Sequence, residues 1–214
     1  MPPPRIVLAD DHVLVAEGIQ QLLASEFDLV GLVGDGRALL DMIQELQPDI
    51  ALVDISLPLL NGFDAVRQVK KISPNIKIVF LTMHDDKTFV EEAFRVGACG
   101  YILKESAISE LVFALHEITA GRNYVTPSLA QEPATQAGKA SSPQHGLSPD
   151  SLTQRQREIL QLVAEGRSNK EISQILSIAL KTVEFHKTRL MRCLHVQTTA
   201  ELTKYAIAHG LVTL

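Results

Sequence analysis

Five polar residues stand where short apolar runs of the sequence end, and together they could bind a phosphoryl group. Asp10 and Asp11 follow the first run, Asp54 the third, Thr82 the fourth and Lys104 the fifth. Taken singly, an aspartate at such a place is more often a helix N-cap. Taken together, three converging carboxylates need a cation, and Mg²⁺ prefers such oxygen ligands. With a lysine and a hydroxyl beside them, they indicate phosphoryl transfer to a carboxylate, giving an aspartyl phosphate.

Five β-strand and α-helix units could position these residues. The apolar runs begin at residues 6, 29, 50, 76 and 101, and apolar residues at helical spacing follow each run. This alternation predicts a doubly wound α/β fold with five parallel strands. In such a sheet the carboxyl ends of the strands share one edge, and ligands bind there. We therefore expect the five polar side chains to converge although they are far apart in sequence.

The charge and composition divide the chain into two parts. Residues 1–125 contain ten Lys and Arg against eighteen Asp and Glu, a net charge of −8, whereas residues 148–214 contain nine against six, a net charge of +3. Residues 126–147 are rich in Pro, Ala, Ser, Gln and Gly without an apolar period, which is typical of a flexible linker. We predict two domains joined by this linker, the basic one with nucleic acid as partner.

The basic part shows helical patterns only. Three segments fit a capping box, beginning at Thr153, Ser168 and Thr198, and each opens an apolar helical stretch. The remaining helix must begin near Ala179. These signals predict a small bundle of four helices.

The third of these helices has a polar face opposite an apolar one. Val183, Leu190 and Leu194 are expected in the core, and the opposite face presents Lys181, Phe185, Thr188 and Arg192, with Glu184 beside them. Such a face suits a recognition helix in a major groove. An ordinary solvated face would show a similar pattern.

Residues 5–121 resemble the receiver domain of bacterial two-component response regulators. The shared pattern is an acidic pair after strand 1, D-x-x-x-P-x-x-x-G from Asp54, Thr after strand 4 and Lys after strand 5. The resemblance implies a flavodoxin-like fold with Asp54 as phosphoacceptor and with Thr82 and Lys104 at the phosphoryl oxygens. It implies Mg²⁺ held by Asp10, Asp11, Asp54 and the Ser56 carbonyl oxygen. Tyr101 matches an aromatic residue whose rotation reports phosphorylation, and an ordinary half-buried strand tyrosine is the alternative.

Residues 150–208 resemble the LuxR-type helix-turn-helix, so that the whole chain is similar to the NarL/FixJ subfamily of response regulators. The motif includes Leu152-Thr153, Ser168-Asn169-Lys170-Glu171 and Thr182-Val183-Glu184. Glu184 stands where many members have Lys; a carboxylate repels phosphates but can accept a hydrogen bond from cytosine N4. The resemblance implies double-stranded DNA as partner, contacted by Lys181, Thr182, Glu184, Phe185, Thr188, Arg189 and Arg192. It also implies a homodimer, formed through the last helix or the receiver domain.

The sequence thus predicts a phosphorylation-dependent transcription regulator, not an enzyme, with a histidine kinase and promoter DNA as partners. One alternative is a Mg²⁺-dependent phosphohydrolase, against which Ser56 argues, because haloacid-dehalogenase-like phosphatases need an aspartate there. Another is a protein-interaction receiver with a vestigial helical tail. The chain has no secretory signal, no apolar run long enough to span a membrane and two distant cysteines, Cys99 and Cys193, which predicts a cytoplasmic location.

Overall fold

A computed structural model describes residues 2–130 and 152–212 of the 214-residue chain. The chain forms two compact units, Met1–Glu132 and Pro133–Leu214, and each is described by itself. Within the described ranges, no helix is long and apolar enough to cross a membrane.

The first unit is built on a sheet of six parallel strands in the order β2-β1-β3-β4-β5-β6. The strands are β1 (Arg5–Ala9), β2 (Asp28–Val33), β3 (Ile50–Val53), β4 (Lys77–Thr82), β5 (Gly100–Leu103) and β6 (Tyr124–Val125). Strands β3 and β5 are buried along their whole length, as expected for a sheet covered on both faces. The strand order reverses between β1 and β3, which creates the crevice where ligands bind in such sheets.

Helices cover both faces of this sheet. They are α1 (Val13–Leu23), α2 (Gly36–Leu46), α3 (Gly62–Ile72), α4 (Lys87–Arg95) and α5 (Ala107–Thr119). One buried cluster joins the sheet to α1 and α5, and a second joins it to α2, α3 and α4. Alternate strand residues belong to different clusters: Ile6 and Leu8 pack towards α1 and α5, whereas Val7 and Ala9 pack on the other face. The doubly wound α/β architecture is therefore confirmed.

The sheet has one strand more than the five predicted. Strand β6 pairs with β5 through Gly100 and Tyr124 and through Tyr101 and Val125. It is only two residues long, so it carries no apolar period that a sequence pattern could reveal. Main-chain hydrogen bonds hold it at the sheet edge, among them Tyr124 N–H to Cys99 O at 3.0 Å.

The first residues of the predicted linker, 126–130, lie in the first unit. Thr126 is 1% exposed, its Oγ1 accepts a hydrogen bond from Leu103 N–H at 3.1 Å, and helix α6 (Pro127–Ala130) follows. Composition could not reveal this, because the ordering comes from pairing with buried main-chain groups of β5. The rest of the predicted linker, 131–147, lies outside the described residues.

The second unit contains four helices among its described residues: α7 (Gln154–Ala164), α8 (Asn169–Ile175), α9 (Leu180–Cys193) and α10 (Thr199–Ala208). The three predicted capping boxes are present, at the starts of α7, α8 and α10. Helix α9 begins after Ala179, as predicted, with no side-chain hydrogen bond at its cap. Helix α7 packs against α8, α9 and α10, with Leu160, Ile172, Val183, Leu190 and Leu202 fully buried.

Candidate functional site

Three of the predicted site residues meet in the crevice between β1 and β3. Asp10 directly follows β1, Asp54 directly follows β3, and Lys104 follows β5 in a short 3-10 turn. The Lys104 Nζ lies 2.8 Å from Asp10 Oδ2 and 2.7 Å from Asp54 Oδ2. The side chains of all three are at most 5% exposed. We call Asp10, Asp11, Asp54, Thr82 and Lys104 the acidic pocket.

The charge on Lys104 follows from these contacts. Burial alone would lower the pKa of its ammonium group, but the hydrogen bonds and attraction from Asp10 and Asp54 outweigh burial and raise the pKa above 10.5. Lys104 therefore stays positively charged at neutral pH. One ammonium group faces the two buried carboxylates of Asp10 and Asp54, with the half-exposed Asp11 beside them, so the carboxylates in the pocket outnumber its cation.

The donor set of the acidic pocket fits a divalent cation with oxygen ligands. Potential ligand atoms of Asp10, Asp11, His12 and Asp54 all lie within 4.8 Å of one another. Carboxylates from two strand ends and a half-exposed opening suit Mg²⁺, which keeps several of its waters when bound. His12 was not predicted; its Nδ1 lies 2.9 Å from Asp11 Oδ1 and 3.2 Å from Asp10 Oδ1. The run Asp10-Asp11-His12 was the only sequence signal for it.

A second unpredicted histidine connects the acidic pocket to its surroundings. Thr82 is fully buried at the end of β4, and its Oγ1 accepts a hydrogen bond from His84 N–H at 3.3 Å. The His84 Nε2 lies 3.0 Å from Ser56 Oγ, and Ser56 N–H donates to Asp54 Oδ1 at 3.3 Å. The His84 ring stacks on Phe89 of α4, with ring centroids 4.3 Å apart. The loops after β3 and β4 are therefore tied together beside Asp54.

His84 is held mainly in its neutral form. Burial lowers the pKa of its imidazole below 6.5, against the attraction of Asp54 and Asp85, and the charge of Lys104 lowers it further. Which ring nitrogen carries the proton decides whether His84 donates to Ser56 or accepts from it.

Tyr101 is hydrogen-bonded to the main chain of His84. Its side chain is fully buried in β5, rather than half-buried, and its hydroxyl donates to the carbonyl oxygen of His84 at 2.8 Å. Burial, together with the nearby carboxylates of Asp85, Asp54 and Asp86, raises the pKa of the phenol. The hydroxyl therefore stays protonated and acts as a hydrogen-bond donor at neutral pH.

The loop after Asp54 forms a closely packed support for this residue. Gly62 starts α3, and a Cβ atom at this position would lie 2.2 Å from the carbonyl oxygen of Asp54. Its N–H donates to Ile55 O at 2.9 Å. Leu59, one residue after Pro58, has a φ of 63°, which an L-residue rarely adopts. Gly62 is required here by space rather than by its φ angle.

The predicted DNA contacts lie on α9. Six of the seven are exposed, and we call these six the α9 surface: Lys181, Glu184, Phe185, Thr188, Arg189 and Arg192. Thr182 is partly buried. On the opposite side of α9, Val183 and Leu190 are fully buried and Leu194 beyond its end is 6% exposed. The α9 surface carries three basic side chains and one acidic side chain, as suits contact with a polyanion.

Both units match known protein families. Residues 6–116 match the model of the response regulator receiver domain, and residues 150–206 match that of the bacterial regulatory proteins of the luxR family. The transcriptional regulatory protein MctR of Rhizobium johnstonii is 33% identical over 214 residues, which cover 99% of this chain and 97% of MctR.

Solved structures agree with these matches. A LuxR-family two-component response regulator from Aurantimonas sp. SI85-9A1 is 36% identical, with a TM-score of 0.59 over 61% of this chain and 94% of that chain. The RcsB response regulator, solved in complex with DNA, is 25% identical, with a TM-score of 0.58 over 97% of this chain and 98% of that chain.

Proposed function

Because the chain belongs to the two-component response regulators that join a receiver domain to a LuxR-type DNA-binding domain and regulate transcription, we propose that a histidine kinase phosphorylates it on Asp54 and that α9 binds promoter DNA. The observation that carries the proposal is the buried contact of Asp54 with Lys104 beside Asp10. A buried carboxylate that shares one cation with a second carboxylate is suited to accept a phosphoryl group, because the cation can then contact the phosphoryl oxygens.

Asp54 acts as the nucleophile. One of its carboxylate oxygens forms a bond to phosphorus, while the phosphorus–nitrogen bond of a phosphohistidine breaks and the imidazole leaves with the electron pair. The Lys104 ammonium group contacts Oδ2 and the Ser56 N–H contacts Oδ1. These two hydrogen bonds fix the plane of the carboxylate before the phosphohistidine arrives. The carboxylate therefore loses less rotational freedom when it reacts.

Asp10, Asp11, Asp54 and the carbonyl oxygen of Ser56 would hold Mg²⁺, which supplies positive charge for the phosphoryl oxygens when it is bound. Lys104 and the Thr82 hydroxyl would contact the same phosphoryl group. Because Thr82 Oγ1 also bonds His84 N–H, and Tyr101 bonds His84 O, movement of Thr82 would reach Tyr101 through His84. Tyr101 is therefore our candidate switch residue.

DNA binding by the second unit rests on the α9 surface and on the family. Its basic residues would contact phosphates, and its shorter polar residues would meet base edges in the major groove. RcsB, which is similar along nearly the whole chain, binds DNA. We propose a homodimer as the DNA-bound form, since two recognition helices then read two half-sites. The proposed domains are a receiver ending near residue 130 and a DNA-binding domain from 148 to 214, joined by the segment between them.

Phosphorylation of the intact protein tests the assignment of Asp54. Incubation with acetyl phosphate and Mg²⁺ should add about 80 Da, one phosphoryl group, as measured by intact mass spectrometry. The Asp54→Asn variant should gain nothing, and the matched variant Asp28→Asn, at the opposite edge of the sheet, should behave as the wild type. An adduct on Asp54→Asn would refute the assignment, and an adduct formed in EDTA would refute the role of Mg²⁺.

A further inference from the structure

The α9 surface contains one exposed aromatic side chain among its charged and polar residues. Phe185 is 59% exposed, and in the described part of the second unit only Leu180, at 45%, is another large apolar side chain exposed to a similar degree. Leu180 is the first residue of α9, at the end of the helix, whereas Phe185 lies within it. Phe185 lies in the second turn and remains 59% exposed although its ring meets that of His186 edge-on, with centroids 5.6 Å apart.

Phe185 lies on the face of α9 that points away from the core, together with Lys181 and Arg192. At 100° per residue, it lies about 160° around the helix from Val183 and about 140° from Leu190, which are both fully buried. Lys181 and Arg189 lie one turn before and one turn after it on the same face. Arg192, about 20° away in projection, completes a basic border around the ring. A helix that approaches DNA with this face therefore brings Phe185 to the groove between Lys181 and Arg189.

We propose that Phe185 contacts the C5 methyl group of a thymine in the major groove, and this inference rests on the proposed binding of DNA by α9. Phosphates and sugars are reached by the flanking basic side chains, so the central residue meets base edges. Of the groups that base pairs present in the major groove, the thymine methyl group is the apolar one. A phenyl ring has no hydrogen-bond donor or acceptor, so the methyl group is the one group there that it can recognise. The basic side chains around the ring are complementary to the phosphates of DNA, which favours DNA over an apolar protein surface as the partner.

Glu184 and Thr188 would then read the neighbouring positions. Both are exposed beside Phe185, and a carboxylate accepts a hydrogen bond from cytosine N4, whereas it repels phosphates. The α9 surface would therefore prefer a site in which a thymine lies next to a cytosine on one strand or the other.

Removal of one methyl group from DNA tests the contact. Sites are first selected from a random duplex library with full-length protein treated with acetyl phosphate and Mg²⁺. Each thymine of the best site is then replaced by deoxyuridine, which lacks only the C5 methyl group. The wild type should lose affinity about fourfold at one thymine of each half-site, the effect of burying one methyl group. Phe185→Ala should bind the duplexes with thymine and with deoxyuridine at that position equally well, and Phe185→Leu should keep part of the difference in affinity.

Lys181→Ala is the matched control, because it should weaken binding to every duplex and keep the deoxyuridine effect. If the wild type binds DNA in a salt-dependent way, but replacing each thymine by deoxyuridine changes the affinity of the wild type and of Phe185→Ala equally, the methyl contact is refuted and the proposed function stands. If the wild type shows no salt-dependent binding, the proposed function is refuted and the methyl contact falls with it. If Phe185→Ala lowers the oligomeric state in sedimentation and keeps the deoxyuridine effect, Phe185 belongs to a protein interface and the proposal is overturned.

Discussion

The acidic pocket and the α9 surface both depend on charged side chains, but the chain assembles them in different ways. The acidic pocket brings Asp10 and Lys104 to 2.8 Å from opposite ends of the first unit's sequence, and three of its four charged side chains are buried. The α9 surface comes from one continuous helix, and its charges face solvent. The same type of substitution should therefore have different effects in the two regions: loss of folding stability in the pocket, and loss of affinity alone on α9.

The largest effect should follow from removing the cation of the acidic pocket. Lys104→Met leaves the buried carboxylates of Asp10 and Asp54 without a counter-charge, so we expect the free energy of unfolding to fall by about 3–5 kcal/mol in urea titrations with EDTA present. The control Lys87→Met removes an exposed lysine and should change stability by less than about 0.5 kcal/mol.

A second variant shows whether the loss is electrostatic. Lys104→Met combined with Asp54→Asn removes one of the two unpaired carboxylates, so it should recover part of the lost stability. If Lys104→Met is as stable as Lys87→Met, the ion pairs of the pocket do not hold the fold, and the contrast with α9 disappears.

An intermediate effect is expected from the basic residues of the α9 surface. Lys181→Ala and Arg192→Ala should leave the free energy of unfolding within about 0.5 kcal/mol of the wild type. Each should weaken binding to all duplexes and reduce the slope of log K against log salt by about one, if each contacts one phosphate. Glu184→Ala and Thr188→Ala should instead change which sequences are bound. Slopes equal to that of the wild type would place the phosphate contacts elsewhere.

The smallest effect concerns the pH dependence of stability. Folding lowers the pKa of His84 below its ordinary value of 6.5, so the unfolded chain binds this proton more readily than the folded one. Stability contributed by neutral His84 is therefore present above pH 6.5 and decreases as the pH falls below it. His84→Gln cannot titrate, so the stability of this variant should depend less on pH below about 6.5 in thermal unfolding. Parallel pH profiles of the two proteins would contradict this expectation.

The sequence predicted the framework of both regions, because periodic and local signals are visible in a single chain. The strand ends that carry Asp10, Asp54 and Lys104 followed from alternation of apolar runs, and the starts of α7, α8 and α10 followed from capping boxes. What the sequence could not predict depends on distant contacts. Strand β6 is too short for a period, and His84 gains its partners only when the loops after β3 and β4 meet. The burial of Tyr101 likewise arises in a cluster built from several distant segments, against which Phe89 and Phe94 of α4 pack.

The uncapped start of α9 has a consequence for local stability. Helices α7, α8 and α10 each satisfy their first amide groups with their own side chains, whereas Ala179 offers α9 none. A missing cap costs a helix about 1 kcal/mol, so the first turn of α9 should open more often than the others and exchange its amide hydrogens sooner. Contacts made by Lys181 with a ligand would slow this exchange. The start of α9 would thus report binding by becoming ordered, without any shift of the core beneath it.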